Sequence, residues 1–403
     1  MKKMLIIILF FFILLSCSYT EEETDIPEQN ELESYKKDIE DWSWFIYPGE
    51  YENVKLYDEN FIGVQNESGK YGFINKEKEL IVDYEYANII GISEGIARVL
   101  DFDNNYIYID NQGNIISEIK FSDAKDFNEG LAAVKNRDDK WGFINAKGEV
   151  IIGYQFDCIL DGFNEGMAAV EVNDSWSFIF KDGTSAFFDQ YDEVTIFSKG
   201  YAGVKKNGKW GFINKKGELV IDYEYDNVGN FSEDKAAVML ISEKGEEWGY
   251  INSNNEVIIN FRQYDVSEGR LLSIGEFING YALVTDTLYC LIDSEGKTIL
   301  GDDSYLLSGG VTYNPEHNLI AAYDYIDEFM VNKKYGFINI DGAIVIPFIF
   351  EHVSDIYGDL ALVLYNDNDL ICVGVIKISH LYTISMTGEE GTLLPKLDNV
   401  TLS

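Results

Sequence analysis

Apolar and polar residues alternate along most of this chain in short runs, broken by glycine, asparagine and acidic residues. In Trp210-Gly211-Phe212-Ile213-Asn214, Trp210 and Phe212 fall on one side and Gly211 and Ile213 on the other. That period of two predicts a β-strand. A second apolar run, Leu219-Val220-Ile221, follows beyond Gly217. Glycine tolerates positive φ, so the two runs read as a hairpin closed by a tight turn. Upstream lies a third strand of the form x-A-x-V, as in Leu131–Val134, Met167–Val170 and Tyr281–Val284. It is entered through a glycine-bearing turn such as Phe127-Asn128-Glu129-Gly130. No stretch of this region predicts a long helix.

The unit recurs. The aromatic that opens the W-G-F-I-N segment stands at Tyr71, Tyr106, Trp141, Trp176, Trp210, Trp248, Tyr289 and Tyr335, at intervals of 34–46 residues. A ninth, degenerate copy lies at Val373–Ile376. Seven residues past this index position comes glycine at 113, 148, 183, 217, 296 and 342, with Lys78 and Asn255 in the other two copies. Fifteen residues past it an aromatic returns, at Tyr86, Phe121, Phe156, Tyr191, Tyr225 and Phe350. Periods of this size define a stacked repeat architecture of three to four short strands per unit.

The W/Y-G-F-I-N/D motif with its downstream glycine resembles the WG-repeat (KWG-repeat) proteins, over roughly residues 51–376. The resemblance weakens at Tyr106 and Tyr289, where Ile107 and Cys290 replace the glycine, and beyond residue 298, where insertions lengthen the period. Both the periodicity and the resemblance imply an all-β fold of tandem β-meander repeats, stacked in a curved array or a propeller-like ring. A hairpin alone is marginal in water, so each unit must bury a face on its neighbour. The index ring supplies that area, and the glycine after it leaves room for a close neighbour. The ends bear on closure: Tyr51–Val54 matches Tyr225–Val228, so the array starts with the end of one unit. It finishes with the first strands of another, Leu360–Val363 and Val373–Ile376. Together they would complete one unit and close a ring, although nine exceeds the usual 4–8 blades. An open array satisfies the same pattern.

Composition narrows the function. The formal net charge is −39 over 403 residues, which repels nucleic-acid phosphate and anionic lipid headgroups. The start of the chain changes the picture more. Lys2 and Lys3 precede twelve apolar residues, Met4–Leu15, too few to span a bilayer but right for an export signal. Leu14-Leu15-Ser16-Cys17 resembles the lipobox of bacterial lipoproteins, which implies lipidation of Cys17 and cleavage after Ser16. The other reading is a secreted protein whose Cys17 is incidental. The chain then divides into a signal peptide at 1–16, an acidic tether at 17–50, the repeat array at 51–380 with divergent insertions near 298–330, and a tail at 381–403. Three further cysteines, Cys158, Cys290 and Cys372, form no C-x-x-C pair and read as small buried residues.

Candidate chemistry is sparse. His317 lies in an insertion, His352 in a repeat slot held elsewhere by Asn88, Cys158 and Asn227, and His380 near the end. No zinc-binding, nucleophile-elbow or phosphate-loop spacing occurs. Asp101–Asn105 and Asn366–Asp369 suggest calcium loops, but the first lacks the glycine and the glutamate such a loop needs, and both read better as polar turns. Pairs such as Asp182/Asp189 and Asp222/Glu224 suit glycoside hydrolysis in principle. With 70 acidic residues, such pairs arise by coincidence. Neither a cofactor nor a metal site is expected. The expected function is non-catalytic: a lipid-anchored envelope protein, held at the membrane by its lipid alone, that binds or scaffolds a protein or glycan. The alternative is an envelope enzyme with its site in the 298–330 insertions.

Overall fold

The computed structural model describes residues 42–243, 245–263, 274–286, 288–301, 306–307, 314, 317–325, 333–367 and 370–378. Nine small antiparallel sheets follow one another in a ring, a nine-bladed β-propeller. Sequence periodicity alone left ring and open array as alternatives; the structure is the ring. We number the blades from residue 53 and the strands of each blade first to fourth. Blade three is typical: Asp123–Asn128, Leu131–Lys135, Trp141–Asn145 and Val150–Phe156 pair consecutively. The x-A-x-V segment is thus the second strand and the W-G segment the third. The returning aromatic ends the fourth and pairs with the index ring: Trp141 with Phe156, Trp210 with Tyr225, Tyr71 with Tyr86.

The hairpin turns are as the sequence predicts. Gly148 and Gly217 have φ of 76° and 78°, and the exceptional copies Lys78 and Asn255 adopt the same conformation at 62° and 63°. The residue closing F-I-N fixes the turn. Asn145 Oδ1 accepts from the backbone N–H of Lys147 and Glu149, and Asn214 Oδ1 does the same for Lys216 and Glu218. A short polar side chain two residues ahead of the turn is what this geometry demands.

The glycine of W-G has a specific role. A Cβ on Gly142 would stand 2.6 Å from the Ile152 carbonyl oxygen, and one on Gly211 2.4 Å from that of Ile221. The bulged fourth strand crosses directly over it, and five blades with this glycine carry seven-residue fourth strands. Blades two, four and seven have Ile107, Ser177 and Cys290 instead, and their sheets have three strands. In blades two and four the fourth strand shrinks to isolated pairs, such as Tyr106–Phe121 and Trp176–Tyr191. In blade seven the fourth strand is short, Thr298–Leu300, and the sheet counts three because only the isolated Ile274–Val284 pair stands at the first-strand place among the described residues.

Among the described residues no blade has a core of its own. The cluster around Trp210, Phe212, Ile221 and Tyr225 of blade five is completed by Val228, Phe231, Ala236, Val238 and Ile251 of blade six. The same sharing joins blades one and two, two and three, three and four, four and five, and six and seven. Index rings sit inside these seams: Tyr71, Trp141 and Trp210 are buried, and Trp176, Trp248 and Tyr335 are partly so. Apolar area is therefore removed from water mainly by stacking, which is why the unit must be repeated.

Closure comes from further upstream than residue 51. Trp42–Ile46, inside the stretch read from sequence as tether, forms the outer strand of blade nine. It pairs with Leu370–Ile378 in the register Trp42–Ile378, Trp44–Ile376, Ile46–Val375. Tyr51 keeps the place of the aromatic that ends a unit, and Asn53–Lys55 opens blade one. Ile46 then joins Val54, Ile62, Val64, Leu360 and Val375 in the seam between the ninth and first blades.

Candidate functional site

The turns between first and second strands carry a feature absent from the sequence reading. Glu94, Glu129, Glu165 and Glu233 occupy left-handed positions there, with φ between 43° and 53°. Each carboxylate accepts from the backbone N–H of the corresponding turn in the next blade: Gly130, Gly166, Gly200 and Gly280, at 2.9–3.0 Å. Blade five has Lys199 at this place, a side chain without an acceptor, so the relay breaks between blades five and six. Burial alone would raise the Glu129 carboxyl, but hydrogen bonds from Lys181 and Gly166 hold it below the usual range. The recurrence of S/N-E-G in successive copies was the available signal. These carboxylates are consumed in joining blades.

The residues singled out from sequence are mostly structural. His317 is buried, and its Nε2 lies 2.8 Å from the Gly358 carbonyl oxygen and 3.7 Å from Asp359, tying blade eight to blade nine. His352 is exposed, edge-on to the Tyr335 ring. The acidic run at Asp101 is a polar turn: Asp101 Oδ1 accepts from the N–H of Asp103 and Asn105, and Oδ2 pairs with Lys120 at 2.7 Å. Desolvation opposes ionisation of Asp101, but the Lys120 and Asn105 hydrogen bonds prevail and lower it to about 2. Asp182 likewise caps its own turn by accepting from Thr184. Asp222 and Glu224 lie exposed on a fourth strand. Among the described residues no group of His, Cys, Asp and Glu is arranged to hold a metal. Neither Cys158 nor Cys290 is in a disulfide, and the second is buried. Cys17, the site of the expected lipidation, His380, the Asn366–Asp369 side chains, the Cys372 side chain, the tail and most of the 302–332 insertions lie outside the described residues.

The outside of the ring presents exposed apolar residues. At the start of the fourth strand, Val150 and Ile151, Leu219 and Val220, and Val257 and Ile258 are each 40–48% exposed, and Leu80 and Ile344 repeat the position. These strands are sheet edges with one unpaired side. Two open clefts of about 480 Å³ also occur at equivalent places in the repeat. One lies between blades nine and one, beside Glu50, Tyr51, Asn66, Glu67 and Tyr84. The other lies between blades two and three, beside Ile119, Lys120, Asn136, Arg137 and Tyr154. Tyr84 and Tyr154 are repeat equivalents, each leaning on the seam behind it. The frame is the same and the charges are reversed: Glu50 stands where the other has Lys120, and Glu67 where it has Arg137.

Ring, seams and clefts define a repeat β-propeller with no helix among its described residues. The chain belongs to the family of WG-containing repeat proteins. The family model matches residues 71–106, 108–141, 141–176, 190–210, 210–240, 248–285 and 335–368, more than half of the sequence. No curated protein matches the chain. Among solved structures it is similar to a eukaryotic initiation factor, at 11% identity over 73% of this chain and 86% of that one, with a TM-score of 0.50. Weaker similarities are to the computationally designed Ika8 protein, at 10% identity, 72% and 95% coverage and a TM-score of 0.43. BamB from Moraxella catarrhalis gives 11% identity, 83% and 99% coverage and 0.42. At these identities the first likeness speaks for fold, and the other two carry no argument.

Proposed function

We propose that this protein is a non-catalytic binding or scaffolding module, anchored by a lipid on Cys17 in the bacterial cell envelope, that holds a partner protein on the rim of its ring. The observation that carries this reading is the repetition of exposed aliphatic pairs on outer edge strands in successive blades. Apolar side chains recurring in register on an unpaired edge are a liability for a protein without a partner, and they suit a protein surface or an added strand. The export signal and lipobox supply the location, and the acidic surface favours a partner of opposite charge.

The test is capture from envelope extract with the fragment starting at residue 41. One partner should be retained by the wild-type ring and lost when Val150, Leu219 and Val257 are changed to Lys. Retention by the triple variant would refute the rim. The anchor has its own test: Cys17→Ser should abolish metabolic labelling with palmitate, and a labelled variant would remove Cys17 from the reading.

A further inference from the structure

We propose that the cleft between blades two and three is a binding site for a carboxylate-bearing ligand. The groups around it are mostly donors. Asn136 Oδ1 is already used by the N–H groups of Asp138 and Lys140, so its Nδ2 is the part left to face a ligand. The Tyr154 hydroxyl is out of contact with water and has no hydrogen-bond partner. An unpaired buried hydroxyl is costly, and a small opening of the cleft toward an acceptor would relieve it. Lys120 and Arg137 contribute two cations, Lys120 sharing its ammonium with Asp101. Glu118 is the one carboxylate of the lining. Convergent donors with a cationic pair select an acceptor that is itself charged, and a carboxylate matches a guanidinium through two parallel hydrogen bonds.

The cleft between blades nine and one acts as an internal comparison. It has the same volume, the same tyrosine and the same turn asparagine, but Glu50 and Glu67 replace the cations. A groove that served only to separate blades would not need its charges to differ so sharply from copy to copy. In a chain of net charge −39, two cations beside an unpaired donor lower the repulsion that an anion meets in this cleft.

This inference deepens the binding function proposed above and rests on it, but its readout is independent of partner capture, so either can fail alone. Full-length protein in neutral detergent is titrated by calorimetry at low ionic strength with glucuronate, N-acetylglutamate and glucose. At least one of the two carboxylates should bind saturably at one site while glucose does not, and the tighter of the two identifies a sugar acid or an acidic side chain as the source. Arg137→Gln should weaken binding at least about tenfold, the loss of one charge-assisted hydrogen bond. Tyr154→Phe should weaken it severalfold without lowering the melting temperature, since the hydroxyl has no partner in the protein. Glu67→Gln, at the matching turn of the acidic cleft, should change nothing. Equal binding of glucose, an affinity indifferent to Arg137→Gln, or no saturable binding of either carboxylate would overturn the proposal.

Discussion

A chain beginning at residue 47 will melt well below one beginning at residue 41, and its unfolding will broaden. The difference is the closing strand. Trp44 and Ile46 are 8% and 0% exposed; side chains of this kind contribute about 1.5–3 kcal/mol each on burial, and both are lost. Trp44 also makes edge-on contacts with Phe350 and Tyr365, at 6.0 Å between ring centroids. Against a total stability of about 5–15 kcal/mol, that is a large fraction. The secondary effect is on cooperativity. With Trp42–Ile46 in place, the seam between blades nine and one is continuous and every blade has two neighbours. Without it, the last blade frays and the array behaves as an open stack whose ends melt first. Thermal unfolding of the two fragments, followed by circular dichroism, checks this. Identical melting curves would show that the ring does not depend on this strand.

Trp210→Ala should destabilise the ring by about 3–5 kcal/mol, the range for truncating a buried large aromatic. The ring is 6% exposed and sits in a seam whose other residues come from both blades. Lys205 lies 5.7 Å from the centroid of its ring, a contact worth a further fraction of a kilocalorie. The loss is larger than for an edge residue because the seam cannot collapse: two backbones already held by hydrogen bonds form its walls. Urea denaturation of wild type and variant measures the difference. A midpoint shift worth less than about 1 kcal/mol would place the ring outside the core, contrary to the geometry.

The fold was legible in the sequence where one physical requirement recurs in every unit. The index aromatic is written eight times and the turn glycine six, with x-A-x-V strands ahead of most copies, so chance cannot imitate them. The shortening of the fourth strand was not read from the sequence, although Ile107, Ser177 and Cys290 mark the blades concerned once the glycine is understood as space for a crossing backbone. Nor was the closing strand legible. Trp42–Ile46 occurs once, lacks the motif of its equivalents, and meets its partner more than 300 residues away. Only the unmatched end at Tyr51 hinted that a strand was missing. The clefts were illegible for a different reason. Lys120, Arg137 and Tyr154 belong to two units and acquire meaning only when the ring sets them together. Periodicity reports what the copies share, whereas a site depends on where they differ.

The register of the closing strand also fixes where the chain enters and leaves the ring. Trp42 and Ile378 are direct partners, so the chain enters and leaves the propeller at a single point on the edge of blade nine. The opposite blades, four and five, are the farthest from that point. A label on blade five and one at residue 42 should report the full width of the ring, and labels at residues 42 and 378 should report almost none of it.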